Sequence, residues 1–241
     1  MPEKQKLVSG LFLVKSVIFL AVLAGAATVA NLAVGWYGQS AKAVGHTTST
    51  DNFDISIGQD RLRLAANTIR FDTQRKSGKT ERVDMYLTWP QLAGYTQENQ
   101  DLFDAKADST AVIFLQLSQS TMSRDMSGRF EAIYSHLVQG EPQDIKFGLK
   151  LYRFKPDAGY GDEVLLTAKR DGLPDYVVRC LMPTPQRPST SGDCQRDVRL
   201  GQDLTVLYRF PVSLLNQWQA LDDGLVNYLQ QRIQSEKPES N

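Results

Sequence analysis

Histidine and cysteine are almost missing from these 241 residues, with two of each: His46, His136, Cys180 and Cys194. A structural zinc site takes about four ligands at close spacing, and the chain offers no such set, so no metal is expected. No CxxC pair occurs, which removes thioredoxin-like redox chemistry. No GxSxG turn presents a nucleophilic serine. Charge of one sign is lacking too, since 27 Lys and Arg face 27 Asp and Glu. A balanced chain has no electrostatic footprint for nucleic acid, and no nucleic-acid partner is expected. No cofactor motif is complete, so no cofactor is expected either. Internal repeats and low-complexity tracts are absent.

What is present first is an uncharged apolar stretch from Ser16 to Trp36. At ~1.5 Å per residue, a helix of this length matches the ~30 Å hydrocarbon core of a bilayer. Lys4, Lys6 and Lys15 precede it and only Lys42 follows closely. The positive-inside rule then keeps the N-terminus in the cytoplasm and exports the rest. The expectation is a bacterial inner-membrane, single-pass protein with a periplasmic domain. Residues 1–15 would be cytoplasmic, 16–37 a transmembrane helix, 38–51 a linker, 52–234 the exported domain and 235–241 a flexible tail. Lys15, Trp36 and Tyr37 are the expected interface residues, with the lipid bilayer as one partner. A cleaved signal peptide is the rival, because Ala24-Gly25-Ala26 and Ala41-Lys42-Ala43 have small-x-small spacing. The apolar run exceeds the ~7–15 residues usual for a signal, which favours the anchor.

The first 43 positions hold Lys4, Lys6, Lys15, Lys42 and Glu3, leaving 23 basic and 26 acidic residues and a formal charge of −3 for the remainder. That remainder is long enough for one domain with a sizeable core. In an oxidising compartment Cys180 and Cys194 most simply form one disulfide, two free thiols being the alternative. Pro183, Pro185 and Pro188 mark the segment between them as a loop. Closing about 15 residues stabilises a fold by ~3 kcal/mol in the chain-entropy model.

Period-2 alternation dominates the exported part. Phe53, Ile55 and Ile57 alternate with polar residues, Leu62 and Leu64 follow, then Ile69 and Phe71, and Val83 to Trp89 repeats the pattern. The polar run from Gln74 to Thr80 reads as a hairpin loop. Further strands are expected in residues 111–117, 145–154, 163–169, 176–181, 197–200 and 204–210. Met126, Phe130, Ile133 and Leu137 share one stripe of a helix over about 125–138. Leu214, Trp218, Leu221, Leu225, Leu229 and Ile233 form a longer stripe after Pro211, suited to covering a sheet face. A short helix is expected around 97–103. The fold class is therefore α+β and mainly β: one N-terminal transmembrane helix, then a β-sandwich-like or curved antiparallel sheet with a middle helix and a long C-terminal helix.

Candidate chemistry is sparse. Ser77-Gly78-Lys79-Thr80 resembles the end of a phosphate loop, but Thr73 stands where the motif needs glycine. His136 lies near Ser123, Asp125 and Ser127, which read better as helix caps and neighbours than as a hydrolase constellation. No catalytic residue is assigned. Asp222 and Asp223 read as solvated surface. Tyr95, Arg124 and Arg129 are candidates for a partner surface, as loop aromatics and basic groups often are.

The segments Arg61 to Phe71 and Tyr86 to Thr96 resemble stretches in bacterial single-pass envelope proteins that carry no assigned activity. The resemblance implies a membrane-tethered periplasmic protein. The expected function is a non-enzymatic binding or scaffold protein of the cell envelope with an envelope protein as partner. A lipid- or glycan-handling module is the alternative, and an envelope hydrolase using His136 a third reading.

Overall fold

The computed structural model describes residues 45–103 and 111–234. The chain divides into Met1–Gly45 and His46–Asn241, and the fold described is that of the second unit. Its strands are β1 (Asn52–Ile57), β2 (Asp60–Ala65), β3 (Gly78–Lys79), β4 (Arg82–Thr88), β5 (Val112–Gln119) and β6 (Val138–Asp144). They continue with β7 (Lys150–Phe154), β8 (Glu163–Ala168), β9 (Tyr176–Leu181), β10 (Cys194–Leu200), β11 (Leu204–Phe210) and β12 (Ile233–Gln234). A small sheet has the order β12-β2-β1-β3, and a large one the order β4-β5-β11-β10-β9-β8-β7-β6. All pairings are antiparallel except β1 with β3.

Alternation along the strands builds the main core. Ile55, Ile57, Leu62 and Leu64 of the small sheet join Met85, Leu115, Val206 and Tyr208 of the large one. The helix Trp218–Gln230 adds Trp218, Leu221, Leu225 and Leu229 to the same core. A second cluster lies on the other face of the large sheet, where Met126 and Tyr134 pack on Phe154, Leu165 and Val177. Val164 and Leu166 thus face the main core while Leu165 faces the second. Burial on both faces explains why β8 and β9 read as continuous apolar runs instead of clean alternation.

Two hairpin turns lock the sheets together. Gly58 and Gly201 both adopt positive φ, +56° and +58°, a conformation open to glycine. Asp203 accepts the N–H of Gln59 (2.9 Å) and the side-chain amide of Gln119 (2.7 Å). Asp60 in turn accepts the N–H groups of Gln202 and Asp203, each at 2.9 Å. A Cβ on Gly58 would stand 2.5 Å from Asp203 Oδ1, and one on Gly201 would collide with the Asp60 carboxylate.

Several expectations are corrected. Among the described residues no helix is long and apolar enough to cross a membrane. The expected transmembrane helix, and with it the single-pass inner-membrane location, therefore has no support in the structure. Residues 16–37, including Trp36 and Tyr37, and Lys15 beside them lie outside the described residues. The fold is two sheets with few helices. The middle helix shrinks to a π-helical turn, Phe130–Tyr134, followed by Ser135–Leu137. The wider turn, with Tyr134 N–H bonded to Arg129 O (3.2 Å), brings Tyr134 inward and leaves Ile133 exposed. The C-terminal helix is preceded by a 3-10 segment, Val212–Gln217, and stops before Ile233, which pairs in β12 with Leu62. Ile69 makes only an isolated bridge to Met85. The expected strand over 145–154 opens as a 3-10 turn, with Phe147 at φ +69°. The 74–80 loop contains β3, parallel to β1.

Candidate functional site

Alternation that sends one set of side chains to the core sends the other to the outer face of the large sheet. Register pairs set Tyr86, Phe114, Arg209 and Gln195 in one row across β4, β5, β11 and β10. Asp84, Gln116, Leu207 and Asp197 form the next row. Over β7 to β9 this face is roofed by the helical segment through Met126, Phe130 and Tyr134. Over β5 and β11 it stays open: Phe114, Gln116 and Leu207 are half-buried and Arg209 is exposed. A shallow hollow of about 90 Å³ lies between Arg70, Arg82, Phe114, Gln116 and Arg209.

Arg70 is placed by the chain that bridges β4. Its N–H donates to Asp84 O (2.8 Å), and its guanidinium lies 4.9 Å from the Phe114 ring and 5.1 Å from that of Phe71. Such stacking holds an arginine fork in place above the sheet. Asp84 is claimed by Arg82 (2.5 Å) and Asp197 by Arg129. Burial, outweighing Arg129, raises the Asp197 carboxyl above its ordinary range.

An aromatic cluster borders this face. His46 stacks on Tyr95 with ring centroids 4.7 Å apart, and its Nδ1 lies 3.1 Å from Tyr86 Oη. Phe103 meets Tyr86 edge-on at 4.7 Å. The backbone nearby is tied down as well, since Asn67 N–H donates to Ser49 O (2.9 Å) and Ala66 N–H to Asp51 O (2.8 Å). Residues 46–51, assigned to a linker by composition, thus pack on the domain.

Beneath the open face lies a buried charge network. β9 and β10 pair only at Cys180↔Cys194 and Arg179↔Gln195, and beyond that the Arg196 guanidinium reaches across from β10 to Val177 O (2.9 Å). Arg196 and Asp222 are both 1% exposed and bonded at 2.9 Å. Asp222 also accepts from Tyr208 Oη and from Arg170 Nη1, each at 2.6 Å. Burial alone would raise the Asp222 carboxyl, but Arg196, Tyr208 and Arg170 hold it below the usual range. The solvated role expected for Asp222 is therefore corrected: it is the anion at the centre of the core.

The structure places the other residues singled out by sequence, Lys15, Trp36 and Tyr37 lying outside the described residues. Cys180 and Cys194 form a disulfide (S–S 2.06 Å) between directly opposed positions of β9 and β10. Of the three partner-surface candidates, Tyr95 sits half-buried in the aromatic cluster, and Arg124 is exposed before the helical segment. Arg129 is spent on Asp197. Arg124 and Arg129 share the turn that leads into the helical segment, while Tyr95 lies in the aromatic cluster. Asp125 accepts the Gly128 N–H (3.0 Å) as a cap, and Ser127 Oγ donates to Asp175 O (2.6 Å). His136 is exposed, its backbone carbonyl taken by Lys155 Nζ, with no acid or nucleophile bonded to its ring among the described residues. Arg70, Phe114 and Arg209 were not singled out, because strand register joins Phe114 to Arg209 and only the folded chain brings Arg70 over the ring.

The chain matches no protein-family model, and no curated protein matches it. Two solved structures align with the chain. An immunity protein of the Stenotrophomonas maltophilia type IV secretion system aligns with 13% identity over 79% of this chain and 96% of its own, with a TM-score of 0.53. The iron-regulated outer membrane lipoprotein FrpD of Neisseria meningitidis aligns with 14% identity over 78% and 96%, with a TM-score of 0.43.

Proposed function

We propose that this chain is a non-enzymatic, envelope-related protein that acts by holding another protein, in the manner of an immunity protein of a secretion system. The observation that carries this reading is the open outer face of the large sheet, a rigid surface of arginine and aromatic side chains. Such residues dominate the energetics of protein interfaces. The disulfide fits an oxidising compartment, and the fold is shared with an immunity protein. The exposed ring of His136 speaks against the hydrolase reading. The interior between the sheets is filled by side chains, which speaks against a lipid or glycan held inside a curved sheet.

The test is coexpression. Products of the genes flanking this one are exported to the periplasm of a test bacterium, with and without this chain. The expected result is growth arrest by one product, relief by this chain, and a stable complex on gel filtration of the purified pair at about 10 μM. Absence of relief together with separate elution refutes the reading.

A further inference from the structure

We propose that the bare half of the large sheet docks an acidic segment of a protein partner, seated over Phe114 between Arg70 and Arg209. This rests on the reading of the chain as a protein-binding module and names the chemistry of what is bound. Charge complementarity carries it. Both carboxylates that the strands place on this face already have cationic partners, Asp84 with Arg82 and Asp197 with Arg129, and Asp125 beside Asp197 accepts the Gly128 N–H. Arg70, Arg199 and Arg209 have no carboxylate within ion-pair distance among the described residues, so the face is locally cationic on a chain whose formal charge is zero. Arg199 donates only to the carbonyls of Ser123 and Gln202, at 3.2 and 3.0 Å.

The geometry suits carboxylates on a peptide. Phe114 and Arg209 are register partners on adjacent strands, and Arg70 lies over the same ring. A guanidinium held on an aromatic face loses little freedom on binding and presents its fork to a carboxylate in bidentate fashion. Phe71, 41% exposed beside Arg70, adds an apolar anchor. The far edge of the large sheet is a poorer dock. There β6 carries Pro142, Gly140 at φ +71° and a register shift between Gln139 and Gln143, devices that block strand addition.

The experiment titrates the full chain with a synthetic decapeptide of glutamate and tyrosine, and with its glutamine counterpart, following backbone amides by NMR. The expected result is saturable binding of the acidic peptide alone, with shifts centred on Phe114, Gln116 and Arg209. Raising NaCl to about 0.5 M should weaken it markedly, since surface charges are then screened. Arg70→Glu with Arg209→Glu should weaken binding by about tenfold or more, and the charge-neutral pair Arg70→Gln with Arg209→Gln by less. Both residues are exposed, so an unchanged urea midpoint checks that the variants fold. Equal binding of both peptides, absence of binding, shifts on another face, or indifference to the substitutions would each overturn the proposal. So would binding to phosphatidylglycerol vesicles with no response to the acidic peptide. Because the probe is a peptide, such a failure removes this docking surface alone, while the coexpression assay independently tests the protein-binding reading.

Discussion

Removing Asp222 should cost more than removing the arginine it pairs with. In Asp222→Ala, the Arg196 guanidinium keeps Val177 O and Ser127 Oγ, at 2.9 Å each, but loses its counter-charge. Arg170 loses the same carboxylate, leaving two cations at one apolar core. Breaking a buried pair in this way costs about 3–5 kcal/mol, against a total stability of about 5–15 kcal/mol for a domain. In Arg196→Met, Asp222 retains Arg170 and Tyr208, and an unbranched side chain fills the stem's path. What is lost is chiefly the bond to Val177 O, about 1–3 kcal/mol for an orphaned buried acceptor. In Asp222→Ala with Arg196→Met the carboxylate and the deeper cation leave together, so the double variant should be more stable than the sum of the single losses implies. Urea unfolding at neutral pH, followed by circular dichroism with linear extrapolation, measures all of these. Equal losses for the two single variants, or strict additivity in the double, would refute the network as described.

The remaining expectations use simpler assays. Gly58→Ala and Gly201→Ala should each cost about 2 kcal/mol or more, combining the left-handed backbone penalty with displacement of a bonded carboxylate; a loss below about 0.5 kcal/mol, ordinary for a surface site, would contradict the reciprocal turns. The Gln59 N–H holds the Asp203 carboxyl below its ordinary value, and Asp222 is lowered as well. Their contributions are complete above the unfolded pKa of about 3.9 and disappear as pH falls through the lower folded values. Asp197, raised by burial, runs the other way. The urea midpoint should therefore fall below about pH 4, and Asp203→Asn should reduce that fall; an unaltered profile would remove Asp203 from the account. Reducing Cys180–Cys194 should lower stability by about 3 kcal/mol, read from urea midpoints with and without reductant, and an identical midpoint would show the bridge to be thermodynamically idle.

The strand-rich character was legible because half-buried strands write their pattern locally: Ile55/Ile57, Leu62/Leu64 and Val83/Met85/Leu87 are all inward positions. The C-terminal stripe was legible for the same reason, with Leu214, Trp218, Leu221, Leu225 and Leu229 all buried. β6 was not, because Val-Gln-Gly-Glu-Pro-Gln-Asp is a solvated edge with no apolar face to betray it. The π-helical turn was invisible to a period of 3.6, which assigned Ile133 to the core in place of Tyr134. Asp222 misled because burial of a charge depends on two arginines distant in sequence. The open face escaped notice for a related reason. Phe114 and Arg209 are neighbours only through the β5–β11 register, and nothing local to either residue announces the other.

The sparse pairing of β9 with β10 makes the large sheet two leaves stitched along a seam. On one side run β6 to β9, on the other β10, β11, β5 and β4. Two backbone register pairs, the Leu181 N–H bonded to Asp193 O at 2.8 Å, a covalent sulfur bridge and the Arg196 guanidinium cross that line. Under reducing conditions the stitching falls to Arg196, the two register pairs and the Leu181–Asp193 bond, so amide hydrogens of Tyr176 to Val178 should exchange well before those of β5 and β11.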